Sequence, residues 1–194
     1  MGNEYQLSAS PASPRRRVLG AGMMGAWLRV YTTIWIATLS FAALIAAGGP
    51  GSTRPVRQLL EAQLTPSNNA PPNVGHILTL AAHNIPIAAW PLLLGILGAD
   101  RHPLTRQAAD TLLAACLCVN LLQVGAALGA YSTPLLPYIP QLPLEWAGIA
   151  LGAGSWLVQR DHPLTGPERL VWLALTAVVM LLAAVLETVA VPHR

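Results

Sequence analysis

Six polar side chains interrupt otherwise apolar runs of this chain: His83, Asn84, Asn120, Gln123, Glu145 and Glu187. Placing an ionisable group in a bilayer costs about 2.5–3.5 kcal/mol on insertion scales, so such groups are kept for pairing, proton handling or solute contact. Two carboxylates and a histidine in a half-dehydrated space can share a proton or hold a cation. A plainer assignment lets Glu145 and Glu187 reach the headgroups while Asn84, Asn120 and Gln123 hydrogen-bond helices together. Asp110 stands apart, close to the other end of its run.

Other chemistry finds less support. His76 and His83 share a helical face at i, i+7, but two turns separate them by about 10.5 Å, too far for one mononuclear metal. Bis-histidine haem needs facing residues on two helices, and His102, His162 and His193 fall in turns or at the terminus. Cys116 and Cys118 point to opposite sides of a helix and read as small packing residues. With no Ser-His-Asp order, Walker loop, HExxH or GxGxxG, the chain is expected to be no enzyme and to need no cofactor or metal.

The elements that position these residues follow from composition. Of 194 residues, 54% are hydrophobic and 10% charged, against about 25% charged in an ordinary soluble domain. Five apolar stretches, 26–47, 76–99, 107–131, 144–159 and 170–191, predict an all-α polytopic transmembrane bundle. All but the fourth meet the ~20 residues that a ~30 Å hydrocarbon core demands. Helices are the default because lipid offers no partner to an open strand edge.

Residues 1–25 read as a cytoplasmic, disordered tail, and 26–191 as one membrane domain with an external loop over 48–74. The tail's Arg15-Arg16-Arg17 before an apolar run resembles an export signal. The run is long for one, however, and Arg29 interrupts it, so a retained span is expected. Within the loop, Val56, Leu59, Leu60 and Leu64 share one helical face and Arg57 and Glu61 another, predicting a short amphipathic helix that caps the bundle.

All eleven basic residues are arginines. An N-in, C-out arrangement puts Arg15, Arg16, Arg17, Arg29, Arg101, Arg106, Arg160 and Arg169 inside, and only Arg54, Arg57 and Arg194 outside, as the positive-inside rule favours. Trp27, Trp156 and Trp172 then fall at the inner boundary and Tyr131, Tyr138 and Trp146 at the outer one. Scattered singly, these arginines make no nucleic-acid surface despite the net charge of +3.

Arg101-His102-Pro103-Leu104-Thr105 returns as Asp161-His162-Pro163-Leu164-Thr165. Each copy leaves one apolar helix and starts another, so spans two and three, and four and five, read as two hairpins with both HPLT turns cytoplasmic. Pro103 and Pro163 stop a helix, Thr105 and Thr165 can N-cap the next, and Thr165 to Glu168 has capping-box spacing. Gly125 with Gly129, and Gly148 with Gly152 followed by Gly154, are GxxxG patterns. They are expected to bring spans three and four together, with a homo-oligomer contact as the alternative. Pro86 and Pro91 are expected to kink span two and free carbonyls beside His83 and Asn84, giving irregular backbone along a cavity. Proline at every third position of 134–143 predicts an extended or re-entrant stretch, with Glu145 following in the first turn of a helix, well placed against its dipole.

Pro140-Gln141-Leu142-Pro143-Leu144-Glu145, followed by an Ala/Gly-rich helix, resembles the P-H-G-x-x-E element of the stage II sporulation protein M family. His83-Asn84-Ile85 through Gly95 is similar to that family's Asn-containing span, and Val119-Asn120-Leu121 through Gly129 to its N-G-x-x-x-G span. The resemblance covers residues 74–191; Pro140, Glu145, Asn84 and Asn120 match, while Gln141 and Leu142 replace the family's His and Gly. It implies a non-enzymatic bacterial plasma-membrane protein acting as scaffold or accessory subunit of an envelope complex, with the lipid bilayer and other membrane or envelope proteins as partners. The alternative reading of the polar cluster is a small transporter or permease subunit.

Overall fold

The computed structural model describes residues 15–63, 73–131, 135 and 139–190. Among them are six helices: α1 (Arg15–Ala47), α2 (Gly49–Gln63), α3 (Val74–Ile96), α4 (Pro103–Tyr131), α5 (Leu142–Asp161) and α6 (Gly166–Ala190), with no strand. Four are long and apolar enough to cross a membrane, over Gly22–Ala47, Val74–Ile96, Pro103–Tyr131 and Gly166–Val189. Four of the five expected stretches correspond to these helices. The fourth expected stretch, 144–159, lies within α5, whose Glu145, Gln159, Gly148, Gly152 and Gly154 dilute its hydropathy. That composition answers to protein neighbours rather than lipid.

α5 is the central element. It packs on α1, α3 and α6, while α1 also carries α4, and α3 and α6 pack on each other. Along α5, Gly148, Ala150, Gly152, Ala153, Gly154, Ser155, Trp156, Val158 and Gln159 are all buried. The first hairpin is therefore open: α3 and α4, joined by a short turn, stand on either side of Trp156, which packs with Trp90 and Leu94 of α3 and Ala109 and Leu113 of α4.

Local signals explain the helix ends. α1 has no proline between Arg15 and Ala47 and runs as one helix, so residues 15–25 of the expected disordered tail are helical; residues 1–14 lie outside those described. It stops before Gly49, whose φ of 59° is the left-handed conformation that glycine adopts without penalty. Asn73 caps α3 by accepting the His76 N–H at 2.8 Å. Despite Pro86 and Pro91, α3 is continuous over Val74–Ile96. Gly98, at φ 75°, closes it, with the Ala99 N–H reaching back to the Leu94 carbonyl at 2.9 Å in a Schellman-type end. Residues 134 and 136–138 of the expected re-entrant stretch lie outside the described residues. From Ile139 onward the chain turns directly into α5, the Leu142 N–H bonding the Ile139 carbonyl at 2.9 Å.

The loop helix α2 begins at Gly49, seven residues before Val56, and docks with Val56 and Leu60 half-buried and Arg57 and Glu61 reaching across to α4. Arg57 Nε donates to the Ala130 carbonyl at 2.7 Å, its guanidinium lies 5.3 Å from the Tyr131 ring centroid, and the Tyr131 hydroxyl donates to Glu61 at 3.3 Å. Leu59 stays 63% exposed. Arg57→Ala should therefore release α2 without unfolding the bundle: faster hydrogen exchange over 49–63, and a stability loss of about 1 kcal/mol for one charge-assisted hydrogen bond and an exposed cation–π contact.

The expected aromatic belt is corrected for three tryptophans. Trp146, Trp156 and Trp172 are 2%, 0% and 2% exposed. They are core residues, because α5 and α6 turn these faces inward.

Candidate functional site

Depth along the bundle was readable from helical rise, but which way each residue faces depends on how the helices pack. At the end opposite the HPLT turns, Glu145 occupies the first turn of α5, where the helix dipole favours its charge. Its carboxylate lies within electrostatic reach of Glu187 on α6, and Glu187 within reach of His76 at the start of α3. Three helices that pack mutually thus bring two carboxylates and one histidine together. Such a group can share a proton between its members; among the described residues no three His, Cys, Asp or Glu side chains are placed to hold a metal ion.

The other members of the expected cluster do not join it in the same way. Asn120 turns its amide onto its own helix, donating to the Cys116 carbonyl at 2.8 Å. Gln123 and His83 face outward and Asn84 is half-buried. Asn120 and Gln123 belong to α4, whose close neighbours are α1 and α2 rather than α3 and α6. His76 replaces His83 as the histidine near the carboxylates. Its signal lay in position: the first turn of α3 and the last turns of α6 stand at one level.

The HPLT end carries a second polar group, built around Asp110. Its Oδ1 accepts the indole N–H of Trp156 at 2.8 Å, and its Oδ2 lies 3.4 Å from Arg160. Arg106 reaches Asp161 at 4.0 Å, tying the start of α4 to the end of α5. A hollow of about 330 Å³ opens beside them, lined by Asp100, Arg101, Pro103, Arg106, Gln107 and Asp110. Nearby, Gln159 is 1% exposed and leans its amide against Gly95 of α3. Sequence reasoning set Asp110 aside as an exception and read Trp156 as an interface residue; the fold makes them one hydrogen-bonded unit.

The two HPLT copies are capped differently. Thr165 is the N-cap of α6: Glu168 Oε2 accepts both its N–H and its hydroxyl at 2.8 Å, the reciprocal half of a capping box. Thr105 is not a cap, contrary to expectation. α4 already begins at Pro103, so His102 takes that position, Nδ1 accepting the Leu104 N–H at 3.3 Å, while the Thr105 hydroxyl donates to the carbonyls of Ala99 and His102. The cause is Pro167, which fixes the start of α6 beyond Thr165; no second proline follows Thr105. Burial diverges too: Leu164 is 4% exposed and packs with Trp172, whereas Leu104 is 69% exposed. Thr165→Ala should cost about 1 kcal/mol in detergent unfolding. Glu168→Ala added to it should cost little more, because the two act as one cap.

The expected GxxxG pairing between spans three and four is also corrected. A Cβ at Gly125 would lie 2.8 Å from the Thr38 carbonyl, and one at Gly129 would lie 2.5 Å from that of Ala42, so both glycines admit α1. On α5, Gly148 admits Met180 of α6, Gly152 admits the Ala88 carbonyl of α3, and Gly154 admits the Trp27 backbone of α1. α4 meets α5 through large side chains instead, Leu117 and Leu121 against Trp146 and Ala150 among them.

No family model, curated protein or solved structure matches the chain. What fold and site define is a class: a multi-pass, all-helical membrane protein with a polar group at each end of the bundle.

Proposed function

We propose that the chain is a non-enzymatic, five-pass protein of the bacterial plasma membrane, oriented N-in and C-out, working as a scaffold or accessory subunit of an envelope complex in the manner of the stage II sporulation protein M family. α5 supplies the fifth pass. Its 20 residues extend about 30 Å, a hydrocarbon core's thickness, and α1, α3 and α6 take the place of lipid around it. The observation that carries the reading is the close packing along α5, which meets the backbones of α3 and α1 at Gly152 and Gly154 and the Met180 side chain of α6 at Gly148. A hub locked on three sides suits a static platform better than the rocking of bundles that alternating access requires. Arginine distribution supports the orientation, and reporter fusions at Pro103 and Pro163 test it by reading inside.

Purification in mild detergent, with identification of associated proteins, tests the role. Deleting 49–63 should remove partners held at the α2 ledge while the bundle stays folded. A full set of partners retained by that deletion would count against the ledge.

A second reading, a small permease subunit, is favoured by the Glu145, Glu187 and His76 group. It requires proton-coupled flux in proteoliposomes that Glu145→Gln and Glu187→Gln abolish. The scaffold reading requires no flux in any variant.

A further inference from the structure

Arg29 is the one charged residue in the apolar span Gly22–Ala47 of α1, and it faces outward from the bundle. Its depth follows from packing. Gly154 of α5 admits the Trp27 backbone and lies seven residues before the end of α5 at Asp161. Arg29, two residues beyond Trp27 on the oppositely directed α1, therefore stands about 13 Å inside the HPLT end. Its Nε donates to the Gly25 carbonyl at 3.2 Å, which lays the guanidinium along its own helix and leaves both Nη groups unengaged. Among the described residues no carboxylate pairs with it. Asp110 is held by Trp156 and Arg160, and the remaining described acids lie toward the ends of the bundle. The surface beside Arg29 is open: a Cβ at Gly22 or Gly25 would meet nothing within 4 Å.

A cation set this deep in hydrocarbon is costly, and such residues are kept where an opposite charge completes them. A lipid phosphate lies outside the hydrocarbon core, whereas a carboxylate carried on a helix can be placed at any level. A second copy of this chain offers no free carboxylate at that level, so the counter-charge belongs to a different protein. We propose that the outward face of α1 binds a transmembrane helix of another protein through an aspartate or glutamate that pairs with Arg29, the two helices meeting over Gly22 and Gly25. The glycines allow the close approach that helix association in lipid requires, and the two free Nη groups can grip both oxygens of one carboxylate. The inference rests on the scaffold reading, whose partner it describes by its chemistry.

The probe is a synthetic transmembrane peptide of leucine and alanine with lysine ends, bearing one aspartate a third of the way along, beside a twin with leucine there. The full chain is reconstituted in dioleoyl phosphatidylcholine vesicles, and energy transfer from its tryptophans to a dansyl group on the peptide reads association. The wild type should bind the aspartate peptide about tenfold better than the twin. Arg29→Leu should bring the two level, and Arg29→Glu should instead favour a peptide with lysine at that position. Gly25→Leu, in open space, should weaken binding of the aspartate peptide with Arg29 in place. Equal binding of both peptides by the wild type, an undiminished preference in Arg29→Leu, or full binding by Gly25→Leu would overturn the proposal. Loss of the preference when phosphatidylglycerol is added would also overturn it, by making a lipid phosphate the partner of Arg29. The peptide assay needs no co-purified envelope protein, so this face and the scaffold role fail separately.

Discussion

Gly152→Ala should destabilise the bundle by about 3 kcal/mol, a large effect for one methyl group, through overpacking at a contact between backbones. The added Cβ would overlap the Ala88 carbonyl oxygen and lie 3.0 Å from its carbon and 3.4 Å from Pro91 Cδ. A flexible side chain could swing away, but a carbonyl inside α3 cannot, so α3 and α5 must separate. That separation also loosens the neighbouring contact in which Gln159 rests on Gly95. The control is Gly22→Ala on α1, where nothing lies within 4 Å of the new atom. There alanine's better helix propensity should give a gain of about 0.5–1 kcal/mol. Unfolding in mixed micelles of dodecyl maltoside and SDS, followed by circular dichroism, measures both. Equal effects at the two positions would mean that α3 and α5 do not meet at backbone distance.

Asp110→Ala should cost about 2–3 kcal/mol by leaving two partners stranded. The Trp156 side chain is fully buried, and its N–H loses the acceptor it has in the fold. Arg160 loses its counter-charge while its Nε already lacks a partner. Breaking a fully buried pair costs about 3–5 kcal/mol; side-chain exposures of 33% for Asp110 and 29% for Arg160 place this pair below that range. Asp110→Asn should cost less than alanine, since an amide oxygen can still accept from the indole. Arg160→Leu in the Asp110→Ala background should recover part of the loss by removing the stranded charge. The same unfolding assay reads the series, and Trp156 fluorescence, isolated by difference against Trp156→Phe, should shift as its hydrogen bond is lost. An Asp110→Ala protein as stable as the wild type would show that α4 and α5 are held by apolar packing alone.

These expectations rest on contacts between helices far apart in sequence, and there the limits of sequence reading are plain. The apolar runs, their ends and the depth of each polar residue were legible because each depends on a chain segment and its solvent: hydropathy marks lipid exposure, and a rise of ~1.5 Å per residue converts position into depth. The Thr165 to Glu168 cap was legible for the same reason, being a contact across three residues. His83, Gln123 and Asn120 were assigned to one cluster by depth alone, and the fold turned them away because depth carries no information about direction. His76 entered for the converse reason. Trp146, Trp156 and Trp172 were assigned to interfaces by level, yet their faces of α5 and α6 are those that meet other helices.

By itself the sequence determined that this is an all-helical membrane protein, which apolar runs become its helices, and that the glycines of its GxxxG patterns mark close approach. Only the tertiary structure decided that α5 stands at the centre, that Gly125 and Gly129 receive α1 while Gly148, Gly152 and Gly154 receive three different helices, and that Asp110 binds Trp156. Local steps respond to solvent and to neighbours within a turn. The choice of partner is a global packing result, reached when all the small-residue faces and large side chains must fit around one another at once.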